Sequence, residues 1–296
     1  MSFIGLVSDS TAGLSLDFAE RHRVRLVPLY IHMQGETRRD LYDIMPKAFY
    51  EQLPQCDPLP TTSQPSAGDF AVVYGELIAQ GAEAIISVHL SSGISGTVNS
   101  AQLAAQQFEG VPIEIVDTQS ASAAHMLAVE KAIVMLESGG GFEETVAAVR
   151  RVVESQRIVF AVDTLEYLYK GGRIGGAAAL LGSLLQFKPL LCFKDGRIDA
   201  LERVRTSNRA LSRMGEVMRE WLGGEEPVQA VIIQAKAEER AKALQEILPQ
   251  YVNVAALRIW PLPPVLGAHV GNGTLGLCCC PVSACGLPPA DATSLT

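Results

Sequence analysis

Short apolar runs alternate with amphipathic segments along the first half of the chain. The amphipathic segments carry apolar residues at helical spacing, as in Phe70, Val73, Tyr74 and Leu77. Strands that alternate with helices in this way are typical of a parallel sheet with crossover helices. The strands predicted for this part are Ile4–Ser8, Arg25–His32, Ala84–Leu90, Ile113–Asp117 and Ile158–Val162.

The second half has a different pattern. Two apolar runs, Lys188–Phe193 and Arg197–Arg203, are joined by Asp195-Gly196, a dipeptide typical of tight β-hairpin turns. An Ala/Leu-rich helix is predicted to precede them and to end near Gln186. Further strands are predicted at Val228–Gln234, Leu257–Trp260, Leu266–Val270 and Leu275–Cys280.

These patterns predict an α/β protein of two domains. Residues 1–156 are expected to form an α/β/α domain with a parallel sheet, and residues 157–282 a smaller α+β domain with an antiparallel sheet. The last segment, 283–296, is rich in Pro, Ala and Ser and is expected to be a flexible tail.

Charge and hydropathy narrow the classes of function. A net charge of −8 and a pI near 5.2 argue against nucleic acid or an acidic membrane surface as the partner. No apolar stretch is long enough for an integral membrane segment. The first residues lack the basic region and cleavage pattern of a secretory signal, so a cytoplasmic location is expected.

Four of the six cysteines crowd the end of the chain, at positions 278, 279, 280 and 285. A zinc site normally uses ligand pairs separated by a short loop, whereas three of these residues are contiguous. Successive side chains of a strand point to opposite faces. The cysteines are therefore interpreted as small apolar residues of a buried final strand, and no metal or cofactor is expected.

Two hydroxyl-rich loops open helices and could bind an anion. The first is Thr61–Ser66, where Ser66 and Asp69 form a capping box, and the second is Ser91–Thr97. Helix N-termini offer free amides and a positive dipole end, and Gly93 and Gly96 would let backbone approach a ligand. The spacing does not choose between phosphate and carboxylate, and plain helix capping is an alternative.

Three other motifs could contribute to such a site. Ser8–Thr11 follows the first strand, at the sheet edge where ligands of parallel sheets bind. Arg173 follows two glycines and could pair with an anion, although a surface role is equally consistent. His269 precedes a Gly-x-Gly loop and could donate to an anion and respond to pH near neutrality, or could be structural.

Self-contained catalysis finds little support in the motifs. The chain has no G-x-S-x-G nucleophile elbow, and no spacing ties a histidine to a serine. It also has neither a Walker A loop nor G-x-G-x-x-G. A phosphotransferase or hydrolase acting alone, with Ser95 as its test residue, is kept as the second hypothesis.

Taken together, the motifs resemble those of the DegV family, which includes the fatty-acid-binding subunits of bacterial fatty acid kinase. The resemblance covers nearly the whole chain. Its motifs, in order, are Ser8–Thr11, Thr62–Ser66, Ser91–Thr97, Gly171–Ile174, the hairpin from Lys188 to Gly196, and His269–Gly273.

The resemblance implies a long-chain fatty acid buried between two domains. By similarity, Thr62 and Ser95 are the hydroxyls expected on its carboxylate, with Ser92 and His269 beside them. Contacts to the head group or to a partner are expected from Arg173, Ser63 and Gly96. The chain would be a non-catalytic subunit that presents the carboxylate to a separate, ATP-dependent fatty acid kinase subunit; a lipid sensor is a further alternative.

Two departures from the family pattern stand out. The usual final loop is His-x-Gly-Pro-Gly, and here Asn272 replaces the proline. Asn tolerates a positive φ whereas Pro fixes φ near −65°, so a differently shaped loop is expected. The segment Gly35–Asp40 is also unusually charged.

Overall fold

A computed structural model describes residues 3–181 and 187–289. Their strands form three sheets. The strands are β1 Ile4–Asp9, β2 Val24–Val27, β3 Tyr30–Met33, β4 Glu36–Arg39, β5 Thr61–Ser63, β6 Ala84–His89, β7 Ile113–Asp117, β8 Arg157–Ala161, β9 Lys188–Lys194, β10 Arg197–Val204, β11 Val228–Gln234, β12 Val254–Pro261 and β13 Leu275–Pro281.

Helices cover the sheets and connect their strands. The α-helices are α1 Leu16–Arg21, α2 Pro46–Gln52, α3 Ala67–Ala79, α4 Thr97–Ala105, α5 Ala123–Glu137, α6 Phe142–Ser155, α7 Glu166–Lys170, α8 Ser207–Leu222, α9 Glu238–Ile247, α10 Pro264–Val270 and α11 Val282–Cys285. The predicted Ala/Leu-rich helix is a 3-10 helix over Gly175–Leu180. The rest of that prediction, up to Gln186, lies outside the described residues.

The predicted fold class is confirmed. The first sheet has the order β2-β1-β6-β7 and is parallel throughout. The second has the order β10-β9-β8-β13-β11-β12, and its neighbours are antiparallel except β11 and β12. The third is a small antiparallel sheet of β4, β3 and β5.

Two of the predicted strands are wrong. Arg25–His32 divides into β2 and β3, which belong to different sheets, because Pro28 interrupts the run and has no N–H for a ladder. Leu266–Val270 lies in α10, which begins at Pro264 and ends at Gly271 with φ 75°. Pro is pre-shaped for the first helical position and Gly for a left-handed end, so local chemistry overrides the short apolar run.

The predicted burial of the contiguous cysteines in a final strand is confirmed. Cys278, Cys279 and Cys280 are fully buried in β13. Cys278 and Cys280 pack in one core cluster and Cys279 in another, as the alternation of a strand requires. Among the described residues, no group of His, Cys, Asp and Glu side chains is placed to hold a metal ion.

The domain boundaries at residues 156/157 and 282/283 stay a prediction. The predicted tail begins within α11, whose Cys285 is buried, and residues 290–296 lie outside the described part. Within that part, no helix is both long and apolar enough to cross a membrane.

Candidate functional site

A cavity lies between the parallel sheet and the six-stranded sheet. It encloses about 780 Å³ of space between atoms, counting the part that opens to solvent. Most of its wall is apolar. The apolar lining consists of Leu29, Leu90, Ile94, Ala121, Ile158, Phe160, Phe193, Ile198, Ile233, Leu262, Val265, Leu266 and Val270.

The rest of the lining is polar and includes five of the residues predicted from the sequence. These five are Thr62, Ser63, Ser95, Arg173 and His269. The structure therefore brings together side chains from the Thr61–Ser66 loop, the Ser91–Thr97 loop, the glycine-rich segment and the final loop. The other polar lining residues are Gln64, Ser122 and Thr274.

Thr62 and His269 form the closest contact of this group. Thr62 Oγ1 and His269 Nε2 share a hydrogen bond of 2.7 Å across 207 positions of the chain. Thr62 is the middle residue of β5, which pairs with β3, and His269 lies in the last turn of α10. His269 Nδ1 has no hydrogen-bond partner among the described residues.

The environment of His269 keeps its imidazole neutral. Burial, and to a smaller extent the positive charge of Arg173, lowers the pKa of His269 to about 4. The sequence-based expectation of titration near neutrality is therefore wrong, because a lone histidine in sequence does not reveal its burial. A neutral imidazole still has one N–H to donate to an anion.

Ser95 and Arg173 border the same end of the cavity. Ser95 Oγ lies 2.9 Å from Thr97 Oγ1, at the start of α4. Arg173 Nε donates to the Ile94 carbonyl at 3.1 Å, and Nη1 donates to the Gly171 carbonyl at 2.8 Å. Arg173 thus ties the glycine-rich segment to the loop that carries Ser95.

Two predicted residues lie outside this cavity. Ser92 is exposed, and its hydroxyl donates to Asp117 Oδ2 at 2.5 Å, at the end of β7. Gly96 borders an adjoining open groove together with Ser95 and Arg173. Ser92 therefore does not line the cavity, and its contact with the head group stays a prediction.

Gly93 and Gly96 make room for other parts of the protein. A Cβ on Gly96 would lie 2.7 Å from Gln64 Nε2, and one on Gly93 would lie 2.8 Å from the Gly196 carbonyl carbon. The Gln64 amide lies at the end of a flexible side chain and can move away, whereas the Gly196 backbone cannot. Gly93 therefore lets the β9–β10 turn pack on the loop, a role different from the predicted approach of backbone to ligand.

The Ser8–Thr11 motif forms part of a buried polar network. Asp9 Oδ2 lies 3.0 Å from His89 Nδ1, and His89 Nε2 lies 2.7 Å from Ser87 Oγ. The hydrogen bonds from Asp9 to His89 to Ser87 have the connectivity of a Ser-His-Asp triad, which sequence spacing did not reveal. All three side chains are 0% exposed, and Ser87 also bonds Tyr74. These side chains therefore stabilise the sheet edge and do not meet a substrate.

The Asp9 network supports the wall of the cavity. Asp9 Oδ2 also accepts from the Leu90 amide at 3.1 Å, and Leu90 lines the cavity. Thr11 Oγ1 donates to Asp9 Oδ1 at 2.5 Å. The motif thus holds Leu90, the residue that follows β6, in place.

Sequence reasoning did not single out three polar residues of the cavity, Gln64, Ser122 and Thr274. Ser122 precedes α5 with φ 57° and ψ −128°, which is rare for a residue other than glycine. Its type and spacing give no sign of this conformation. Thr274 donates to the Val270 carbonyl at 3.0 Å and so closes the final loop.

The final loop accommodates Asn272 without a positive φ. The left-handed positions are Gly271 at φ 75° and Gly273 at φ 80°. Asn272 Nδ2 donates to the Tyr50 carbonyl at 3.2 Å, a bond that proline could not make. The substitution therefore anchors the loop to α2 through a side chain.

The comparisons with known proteins agree with this architecture. The sequence model of the DegV family, described as "Uncharacterised protein, DegV family", matches residues 3–282. The chain is 35% identical to Protein DegV of Bacillus subtilis over 279 residues, covering 94% of this chain and 99% of that protein.

Two solved structures also resemble the chain over nearly its whole length. The structure described as "Fatty Acid Binding of a DegV family Protein from Thermus thermophilus" has a TM-score of 0.88 and 39% identity, covering 94% of this chain and 99% of that one. That of DegV, a fatty acid binding protein from Bacillus subtilis, has a TM-score of 0.85 and 34% identity, covering 95% and 100%. The chain belongs to the DegV family.

Proposed function

We propose that this chain binds a long-chain fatty acid in the cavity between its two larger sheets. The observation that carries the proposal is the division of the cavity wall into a long apolar part and one cluster of hydroxyls with His269. The binding of fatty acids by the two structural relatives supports it. An acyl chain of about fifteen methylenes gains on the order of 12 kcal/mol on leaving water, before ordering costs.

The carboxylate belongs, in this proposal, at the cluster of Thr62, Ser95 and His269. A buried carboxylate must be hydrogen-bonded, because leaving it bare costs several kcal/mol. The Ser95 hydroxyl supplies one donor. Thr62 and His269 together supply a second, because whichever of them accepts their shared hydrogen bond keeps its own hydrogen for the carboxylate. The Arg173 guanidinium adds a positive charge nearby. Ser63 also borders the cavity, although its hydroxyl already lies 2.9 Å from His32 Nε2.

We further propose that the chain is a non-catalytic, cytoplasmic subunit that presents this carboxylate to a separate ATP-dependent kinase. Ser95 and Arg173 border both the cavity and the open groove beside it, which also contains Gly96 and Arg197. A partner could therefore reach the head group. A carboxylate oxygen would attack the γ-phosphorus of ATP, the bond to the β–γ bridging oxygen would break, and ADP and an acyl phosphate would form.

Thr62→Val tests the head-group assignment. Titration of delipidated protein with hexadecanoic acid in a calorimeter should show a Kd about tenfold weaker than that of the wild type, because one hydrogen bond to a charged group is lost. Thr61→Val is the matched control, since Thr61 is the exposed neighbour in β5 and does not line the cavity. Equal affinities of all three proteins would contradict the assignment.

A second experiment separates presentation from self-contained catalysis. Fatty-acid-loaded protein is incubated with ATP, and acyl phosphate is trapped with hydroxylamine. The protein alone should give no acyl hydroxamate, and ATP-dependent product should appear only when the kinase subunit is supplied. Product formed by the chain alone, and lost in Ser95→Ala, would instead establish a phosphotransferase.

A further inference from the structure

Ser122 has a backbone conformation that serine rarely adopts. It stands between β7 and α5 with φ 57° and ψ −128°, close to the first central position of a type II′ turn, which favours glycine. Strain of this kind persists only where the surrounding structure maintains it, and it concentrates at ligand sites. The conformation therefore points to a role for the Ser122 side chain.

The Ser122 hydroxyl is unpartnered and open to the cavity. Ser122 is the N-cap residue of α5, yet its side chain makes no capping hydrogen bond, although serine commonly does so. Its Oγ has no other hydrogen-bond partner among the described residues, and the residue is 4% exposed and lines the cavity. The Oγ of Ser120, also unpartnered, is enclosed by protein atoms, whereas that of Ser122 is not.

This hydroxyl is placed to bind a ligand and not to attack one. A strained serine between a strand and a helix also occurs at the nucleophile elbow of α/β hydrolases, where a base accepts its proton. The histidine nearest in sequence, His125, instead contacts Ser8 Oγ at 2.9 Å and Thr11 Oγ1 at 3.1 Å. In the part of the chain that the structure describes, no imidazole or carboxylate forms a hydrogen bond with Ser122.

Ser122 lies beside the loop that carries Ser95. The Ser91 amide donates to the Ser120 carbonyl at 2.7 Å, and the Ser95 amide donates to the Ser91 carbonyl at 3.2 Å. Ser122 is two residues from Ser120, which is at most about 7 Å along the chain. Ser122 and Ser95 therefore lie on neighbouring segments of the cavity wall.

Building on the proposed function, the geometry points to Ser122 as a third hydrogen-bond donor to the fatty acid carboxylate. The carboxylate is the polar group of an unsubstituted fatty acid, and once buried it needs hydrogen bonds. Its oxygens offer about four lone-pair sites, of which Ser95 and the Thr62–His269 pair occupy two. The strained turn directs the Ser122 hydroxyl to one of the remaining sites.

The test observes the bound head group itself. Delipidated protein is loaded with hexadecanoic acid that carries ¹³C at the carboxyl carbon, and the NMR signal of that carbon is recorded. Ser122→Ala should shift this signal, because the carboxylate loses a donor, and should raise the Kd about tenfold in calorimetric titration. The signal of hexadecanoic acid labelled at the methyl carbon should stay unchanged.

Ser120→Ala is the matched control. Ser120 is 5% exposed and its Oγ also lacks a partner, but it does not line the cavity. Its substitution should leave the carboxyl signal and the Kd as in wild type. An equal change in this variant would overturn the proposal, because it would show a general effect of packing in the turn.

Ser122→Gly separates the hydroxyl from the backbone strain, and it serves if Ser122→Ala does not fold. Glycine adopts a positive φ without a steric penalty, so this variant without ligand should melt at a higher temperature than Ser122→Ala. It should nevertheless bind hexadecanoic acid about tenfold more weakly than wild type, because the donor is missing. Wild-type affinity would contradict the role of the hydroxyl.

The outcomes separate this inference from the proposed function. If wild type binds hexadecanoic acid and both Ser122 variants keep its Kd and its carboxyl signal, Ser122 contacts only water and this inference fails alone. A weaker Kd with an unchanged carboxyl signal would also overturn it, because Ser122 would then act on the acyl chain or on the fold. If wild type does not bind the acid, both proposals fail.

Discussion

Gly171 packs against the imidazole of His269, so alanine at this position tests whether the histidine controls fatty acid binding. A Cβ at residue 171 would lie 3.2 Å from His269 Cε1 and closer still to Nδ1. Atoms in ordinary contact are about 3.5 Å or more apart, so the ring has to move. It cannot shift toward Thr62, because Nε2 already lies 2.7 Å from Thr62 Oγ1.

The dihedral angles of Gly171, φ −75° and ψ −7°, are open to every residue. A Cβ would also lie 2.9 Å from the Tyr167 carbonyl oxygen, so the end of α7 has to shift together with the imidazole. We expect Gly171→Ala protein that melts cooperatively to have lost the His269 contact with the carboxylate. A hydrogen bond to a charged group contributes about 1.5–3 kcal/mol, which corresponds to a Kd raised roughly tenfold to a hundredfold.

Calorimetric titration with hexadecanoic acid measures this loss, with melting curves to confirm folding. Gly141→Ala is the control, since a Cβ there would meet nothing within 4 Å and φ is −75°. A double-mutant cycle with His269→Ala tests whether Gly171→Ala weakens binding through the imidazole. Gly171→Ala should have little further effect on the Kd once the imidazole is gone. An undiminished effect in that background, or wild-type affinity of the single variant, would refute the reasoning.

Three further predictions concern pH and reactivity. Burial raises the pKa of Asp40 to about 7, so the native state keeps a proton that the unfolded state loses. As the pH rises from 4 to 7, the wild type should lose up to about 4 kcal/mol of unfolding free energy. Urea titrations of Asp40→Asn should not show this loss. His269, with its pKa of about 4, has the opposite effect. The unfolding free energy of the wild type should fall by up to about 3 kcal/mol as the pH falls from 6.5 to 4, and His269→Gln should abolish this pH dependence. Iodoacetamide followed by peptide mass spectrometry should modify the half-buried Cys192 before the fully buried Cys279, and faster labelling of Cys279 would contradict its core position.

Local signals in the sequence predicted local structure well. The Ser66–Asp69 capping box begins α3 as expected, and both of its reciprocal hydrogen bonds are present. Asp195 and Gly196 have φ of 50° and 73°, the conformation that the hairpin turn requires. In each case, residues a few positions apart determine the outcome.

The site depends on contacts that no local pattern encodes. Thr62 and His269 meet only because β5 joins the small sheet and α10 packs beside it. Likewise Ser92 and Ser95 are both loop serines, and only the fold decides that one faces Asp117 and the other the cavity. The family resemblance identified five of the eight polar cavity residues, whereas the apolar wall, and the burial that lowers the pKa of His269, required the structure.

The lipid that accompanies the purified protein tests the central claim most directly. Native mass spectrometry of protein purified without added lipid should show the chain plus a mass of fatty acid size, released as a free acid on denaturation. A protein that carries no such mass, and that also fails to bind added hexadecanoic acid after delipidation, would contradict the proposal that the cavity is a fatty acid site.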